Sequence, residues 1–271
     1  MSREILKELV ERHGADLPLA RAALAATSPE TPEVDPEACL DQLQDWADQV
    51  LAVDLSPIEA MHRVLFEQLG FSGNREDYYR PENSFLSRVM ASRQGLPLTL
   101  SVVYVEVARR AGLDASGISF PAHFIVQVPD GADGAGRTFV DPFHAGRRFA
   151  IDQLPGLLEE VLGNPAPLEP WMLRPARNAE VVLRLLANLK LAYIRRNELA
   201  DAIGVLERMM VLQPDDVALL QERGALYARI GLYPAAVRDL EAVLAAGVSE
   251  DEARRIEHLL PKLRSSVASM N

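Results

Sequence analysis

Apolar residues recur at helical spacing through residues 1–94. Leu40, Leu43, Trp46, Ala47, Val50 and Leu51 fall on one face at helical spacing, which predicts an amphipathic helix. Asp35-Pro36-Glu37 supplies its start, with Asp as cap and Pro at the first helical position. Leu19 to Ala26 predicts a short Ala/Leu-rich helix, and Ser28 to Pro36, with three prolines, a linker after it. Ile58, Met61, Val64, Leu65 and Leu69 repeat the helical pattern from Pro57, until Gly70-Phe-Ser-Gly-Asn74 interrupts it. Asn83-Ser84 stands where a helix over Phe85–Ser92 needs its cap, and Gly95 ends that helix.

The pattern then changes. From Pro97, Leu98, Leu100, Val102, Val103, Tyr104, Val105, Val107 and Ala108 are apolar on nearly every side, the mark of a helix buried inside a domain. Extended stretches follow at Ser116–Pro129, Arg137–Asp141 and Arg148–Ile151. The Gly/Asp-rich turn Asp130 to Gly136 joins the first two as a long hairpin. A helix packed on a small antiparallel sheet makes the expected class α+β. Asn164 to Pro170 is Pro-rich and predicts a connection to a second unit.

That second unit carries a repeat. Tyr193, Ala202, Leu206 and Met209 return 34 residues later as Tyr227, Ala236, Leu240 and Val243. Thirty-four residues is the tetratricopeptide period. The first copy departs from the pattern at Lys190 and Asn197, where a small residue or glycine is usual. A helix over residues 250–268 is expected to cap the stack. The domain reading is residues 1–163 for the α+β domain with its helical N-terminal part, 164–176 for a linker, and 177–271 for the repeats and terminal helix.

Composition changes this picture little. Of 271 residues, 48% are apolar and 25% charged, which is ordinary for a globular protein. The 28 basic and 39 acidic residues give a net charge of −11, which argues against nucleic-acid binding. The acidity is concentrated early: residues 1–50 hold 4 Lys/Arg and 11 Asp/Glu, whereas residues 177–271 hold 13 of each. The single cysteine, Cys39, excludes an intramolecular disulfide and any multi-cysteine zinc site, and its helix position predicts a buried, inert thiol. With no signal-peptide core and no apolar run near 18 residues, the expectation is a cytoplasmic protein without a membrane span.

The candidate chemistry lies in Gly95-Leu96-Pro97, Pro121-Ala122-His123-Phe124 and Asp141-Pro142-Phe143. In order, these are a helix start, a histidine in an extended run, and an Asp-Pro. Together they resemble the transglutaminase-like cysteine enzymes, whose pattern is Gly-x-Cys opening a helix, then His, then Asp-Pro. With Gly70-Phe71-Ser72-Gly73-Asn74, Asn83-Ser84-Phe85-Leu86 and the repeats, the chain resembles a bacterial family of the Sir B type. In that family a transglutaminase-like domain precedes tetratricopeptide repeats. The resemblance implies that His123 and Asp141 occupy the last two triad positions and that Pro97 fills the place of the nucleophilic Cys. This sequence has Ala122 and Ala145 where the family usually has glycine.

A proline supplies neither thiol nor proton, although its ring suits a first helical turn. Thr99 is rotated about 200° from Pro97 and faces away; Ser101 returns to within about 40°, ~6 Å along the helix, and is a weak substitute. The plainer reading of Ser101 is a hydroxyl bonded back to the Pro97 carbonyl. His123 is either a core histidine held by Asp141 or a residue in use, and Asn83 either lines the cleft or only caps a helix. His144 could complete a two-His, one-carboxylate set with His123 and Asp141. Its Gly/Arg loop gives no direction, however, so neither metal nor cofactor is expected.

Two function classes remain. The expected one is a non-catalytic, transglutaminase-like module, regulatory in character, that binds a protein or peptide partner through its repeats. The alternative is a hydrolase, peptidase or transferase that uses His123–Asp141 with water or a non-standard nucleophile. For the binding reading, Arg184, Asn188 and Arg195 share one helix face within about 40°, and Arg229 is the 34-residue counterpart of Arg195. Nucleic acid and membrane are not expected partners, and the sequence does not set the oligomeric state.

Overall fold

In the computed structural model, which describes residues 2–130 and 136–269, the chain divides into two units, Met1–Leu185 and Leu186–Asn271. The first opens with α1 (Ser2–His13), α2 (Leu19–Thr27) and α3 (Pro36–Leu51). Asp35 caps α3 by accepting the Glu37 N–H at 3.0 Å, with Pro36 at the first position. Next, α4 (Pro57–His62) runs into a π-helical turn, Arg63–Gln68, so the periodicity read from Pro57 to Leu69 is not one regular helix. After it come β1 (Ser72–Gly73), α5 (Leu86–Ser92), β2 (Gln94–Gly95) and α6 (Pro97–Arg110).

The unit is built around α6. Every residue from Pro97 to Ala108 is buried, as the all-round apolar pattern requires. Its one buried acid, Glu106, accepts the Ala20 N–H at 3.0 Å and pairs with Arg110. Glu106 thereby serves an end of α2 whose own preceding residue, Pro18, offers no side-chain cap.

Beyond α6 lies a four-stranded antiparallel sheet in sequential order: β3 (Ser116–Ile118), β4 (Ile125–Asp130), β5 (Gly136–Asp141) and β6 (Arg147–Phe149). The middle of the expected turn, residues 131–135, lies outside the described residues. One sheet face, with Ile118, Ile125, Phe139 and Phe149, packs on α7 (Leu154–Leu162) through Leu154, Leu157 and Leu158. The alternation of the strands puts Val126, Val128 and Val140 on the opposite face, on the α6 side.

Two expectations are corrected here. The stretch Ser116–Pro129 is not a single strand: after Ile118, Ala122 adopts φ 53°, a left-handed conformation that breaks it, and pairing resumes only at Ile125. Asn83 and Ser84 do not cap α5; they lie in a 3₁₀ turn, and Phe85 occupies the cap position without a side-chain bond. The stretch 164–176 is largely exposed but is anchored at a few apolar positions. Ala166, Leu168, Met172 and Leu173 sit on the cluster between sheet and α7, and Pro175 bridges to Ile118.

The second unit takes most of its residues from five helices, α8 (Asn178–Arg195, which spans the division), α9 (Leu199–Leu212), α10 (Val217–Arg229), α11 (Tyr233–Ala246) and α12 (Glu250–Ser269). Gly224 permits the close approach of α10 and α11, since a Cβ there would lie 3.2 Å from Asp239 Cβ and Leu240 Cγ. In the first copy Lys190 stands at that place and pairs with Glu222 at 2.5 Å. Asn197 and Gly231, 34 residues apart, both take the left-handed conformation that ends the first helix of each repeat, at φ 59° and 78°. Asparagine is the side chain that best tolerates that conformation, so the departure at 197 changes the residue but not the turn. Ile256, Leu260 and Leu263 of α12 cover Ala236, Leu240 and Val243 of α11.

Candidate functional site

Local rules explain how Asp141 and His144 meet. Asp141 ends β5, and its Oδ1 accepts the N–H groups of Phe143 at 3.0 Å and His144 at 3.3 Å. With Pro142 at the first position, this coils Pro142–His144 into a 3₁₀ turn. Ala145 follows at φ 49°, and Gly146 N–H closes the turn on the Asp141 carbonyl at 3.0 Å. The turn returns the His144 ring to the cap residue: Nδ1 lies 2.7 Å from Asp141 Oδ2.

His123 arrives from the other side. It stands in the turn before β4, not within a strand, and the pairing of Val126 with Val140 puts it at the same end of the sheet as Asp141. Its Nε2 lies 2.8 Å from the same Asp141 Oδ2. Asp141 is fully buried, His123 is 7% exposed and the His144 side chain 27% exposed. Burial alone would raise the Asp141 carboxyl, but the hydrogen bonds and charges of His123 and His144 outweigh it and hold it below the usual carboxylate range. Phe143 stands edge-on to both imidazoles, with ring centres 6.3 Å from His123 and 5.2 Å from His144.

The start of α6 is brought to this end of the unit through β1 and β2. Gly73 of β1 pairs with Gly95 of β2, two residues before Pro97, and a Cβ on Gly73 would lie 2.5 Å from the Phe143 ring. Pro97 is the first residue of α6 and is buried. Ser101 Oγ donates to the Pro97 carbonyl at 2.7 Å, so the proposed substitute is engaged with its own helix. Thr99 Oγ1 donates to the Asn83 carbonyl. Cys39 is half-buried in α3, and burial, with a smaller contribution from Asp35, raises its thiol pKa.

The four residues read as a repeat surface separate. Arg184 belongs to the first unit, where its Nη2 donates to the His123 main-chain carbonyl at 2.8 Å and its guanidinium lies 5.4 Å from the Phe124 ring centre. Its helical phase gave no hint of this, because the acceptor is 61 residues away. Asn188 is half-buried, while Arg195 and Arg229 are exposed. Arg229 lines a surface cavity with Asn197, Glu198, Leu199, Ala200, Asp201 and Ile230.

Asn83 is not a helix cap. It is buried, donates to the carbonyls of Asp77 at 2.7 Å and Tyr78 at 3.1 Å, and accepts from Asn74 at 3.0 Å. It thus pins the loop leading out of β1, and it lines a polar cavity with Asn74, Arg80, Arg88 and Gln94 that includes neither His123 nor Asp141. The role of His144 had one signal in the sequence. Asp followed by Pro is the cap-and-first-position pattern of a short helical turn, and such a turn brings the third residue back to the cap.

Among the described residues, no helix is long and apolar enough to cross a membrane. The model of the transglutaminase-like superfamily matches residues 37–187, and that of the tetratricopeptide repeat matches residues 189–261. A UPF0162 protein of Xylella fastidiosa (strain Temecula1) is 34% identical over 237 residues, covering 84% of this chain and 83% of the relative. One from Pseudomonas aeruginosa is 28% identical over 251 residues, covering 90% of each. F-box only protein 21 of Homo sapiens is 28% identical over 186 residues, 65% of this chain and 28% of that protein. No solved structure matches the chain. A superfamily match over more than half of the chain, together with relatives similar along most of their length, places the chain in the transglutaminase-like superfamily and in its UPF0162 family, with tetratricopeptide repeats following the transglutaminase-like domain.

Proposed function

We propose that this chain is a non-catalytic transglutaminase-like protein that binds a protein or peptide through its repeats. The observation that carries the reading is the start of α6. In the family pattern Pro97 falls at the nucleophile position, and the two hydroxyls that follow it, Thr99 and Ser101, both donate to main-chain carbonyls. An activated nucleophile needs a side chain within reach of its base, and neither hydroxyl is available for that. Repeats of this kind serve generally as protein-interaction surfaces, which supports the second half of the reading.

The test has two arms. Purified wild-type protein is incubated with peptide amides and amine acceptors, and neither cleavage nor cross-linking is expected. Turnover that disappears in His123→Ala would establish the alternative, a hydrolase, peptidase or transferase using the His123–Asp141 pair. In the second arm, partners recovered with wild type are challenged with Arg195→Glu/Arg229→Glu. The double variant should lose the partner while keeping its melting temperature; unchanged recovery rejects this face of the repeats.

A further inference from the structure

Two imidazoles from different segments converge on one carboxylate oxygen. His123 Nε2 and His144 Nδ1 lie 2.8 and 2.7 Å from Asp141 Oδ2, and the three donor atoms all fall within 4.8 Å of one another. We propose that His123, Asp141 and His144 form a site for one divalent first-row transition-metal ion. The inference does not depend on repeat-mediated binding.

The separations match what an ion requires. Bonds of about 2.0–2.1 Å to imidazole nitrogen and carboxylate oxygen place two ligands at a right angle about 2.9 Å apart, and two at a tetrahedral angle about 3.3 Å apart. The observed 2.7 and 2.8 Å fit each nitrogen and Oδ2 as adjacent ligands of one ion, and the two nitrogens, within 4.8 Å of one another, reach ligand spacing by a shift of the partly exposed His144 side chain. Two imidazoles and one carboxylate suit zinc and its first-row neighbours. Calcium and magnesium, which take oxygen ligands, are poorly served by the set.

The surroundings hold each donor in place. Asp141 Oδ1 is occupied by the Phe143 and His144 N–H groups, so Oδ2 alone faces the two rings. The His123 main chain is held by Arg184, and Gly146 N–H closes the turn that carries His144. Left-handed alanines flank the pair, Ala122 before His123 and Ala145 after His144. Backbone strain of this kind persists where the surrounding structure fixes a functional geometry. Asp141 and His123 are buried and His144 is partly exposed, so the site opens on the side of His144 and leaves positions on the ion for water.

The proton balance is simple. A neutral imidazole that donates to Oδ2 carries its proton on the nitrogen a metal would need. On binding, His123 moves that proton to Nδ1 and His144 to Nε2, and two hydrogen bonds are exchanged for three metal bonds. Nothing is oxidised or reduced.

Full-length protein stripped with a chelator and dialysed is titrated with Co²⁺, followed by visible absorption, and with Zn²⁺, followed by calorimetry. Wild type should take up one ion per chain. His144→Ala, at the open edge of the site, should keep the circular dichroism of wild type and lose at least about tenfold in affinity. His144→Gln provides the same comparison if the alanine variant does not fold. His258→Ala, on α12, should bind as wild type does. Absence of saturable binding in wild type, or equal binding by the folded His144 variant, would overturn the site and leave a hydrogen-bonded His–Asp–His cluster without metal.

Discussion

Arg184 donates to the main-chain carbonyl of His123 at 2.8 Å while its guanidinium lies over Phe124. A helix that follows the sheet in sequence thus holds the turn that carries one of the two histidines. Arg184→Ala removes a charge-assisted bond and its packing, at a cost of about 1–3 kcal/mol. Arg184→Lys should restore only part of it, because an ammonium group has no planar face for Phe124. Urea unfolding measures both, and an alanine variant as stable as wild type would show that the bond is idle.

Ala122 and Ala145 hold φ of 53° and 49°. For an alanine this conformation costs about 1–2 kcal/mol, part of which glycine recovers and part of which its greater unfolded-state freedom cancels. Ala122→Gly and Ala145→Gly should each stabilise by roughly 0.5–1 kcal/mol, a melting rise of about 1–4 °C for a domain of this size. Asn197→Gly, at φ 59° on a residue that tolerates the conformation, should change much less. A fall in melting temperature for both alanine variants would contradict the strain argument.

Gly73 lies where a Cβ would fall 2.5 Å from the Phe143 ring. Gly73→Ala should therefore push the turn that carries His144, at about 1–3 kcal/mol. A combined Gly73→Ala/Phe143→Leu variant should recover part of that loss. If Gly73→Ala unfolds at the wild-type denaturant concentration, the contact between β1 and the turn is loose enough to admit a methyl group.

Cys39 is half-buried, and its thiol is raised by burial and by Asp35. Less of it is thiolate at neutral pH, and the thiolate is the reacting form. Alkylation of native protein by iodoacetamide should be slower than in denaturant, with its pH midpoint displaced upward. Equal rates in the two states would show an exposed, ordinary thiol.

The sequence by itself determined a good deal, wherever the determining interactions are local. The periodicity at Leu40–Leu51 and the Asp35-Pro36 start produced α3, and the 34-residue recurrence produced the paired helices of the second unit. The all-round apolar run from Pro97 required a buried helix because no other placement covers it. Tertiary structure decided what depends on pairs far apart in the chain. Asn83 served the loop before α5 rather than its cap, because the carbonyls of Asp77 and Tyr78 come within its reach only once that loop folds. Arg184, placed by helical phase among repeat residues, turned to a carbonyl that helical phase does not register. His144 sat in a loop of unreadable direction until Asp141 collected the N–H groups after Pro142 and returned the ring to its own carboxylate. Helical period and capping act within a few residues, so they can be read along the chain; the meeting of His123, Asp141 and His144 needs the sheet register and a closed turn, which only the folded backbone supplies.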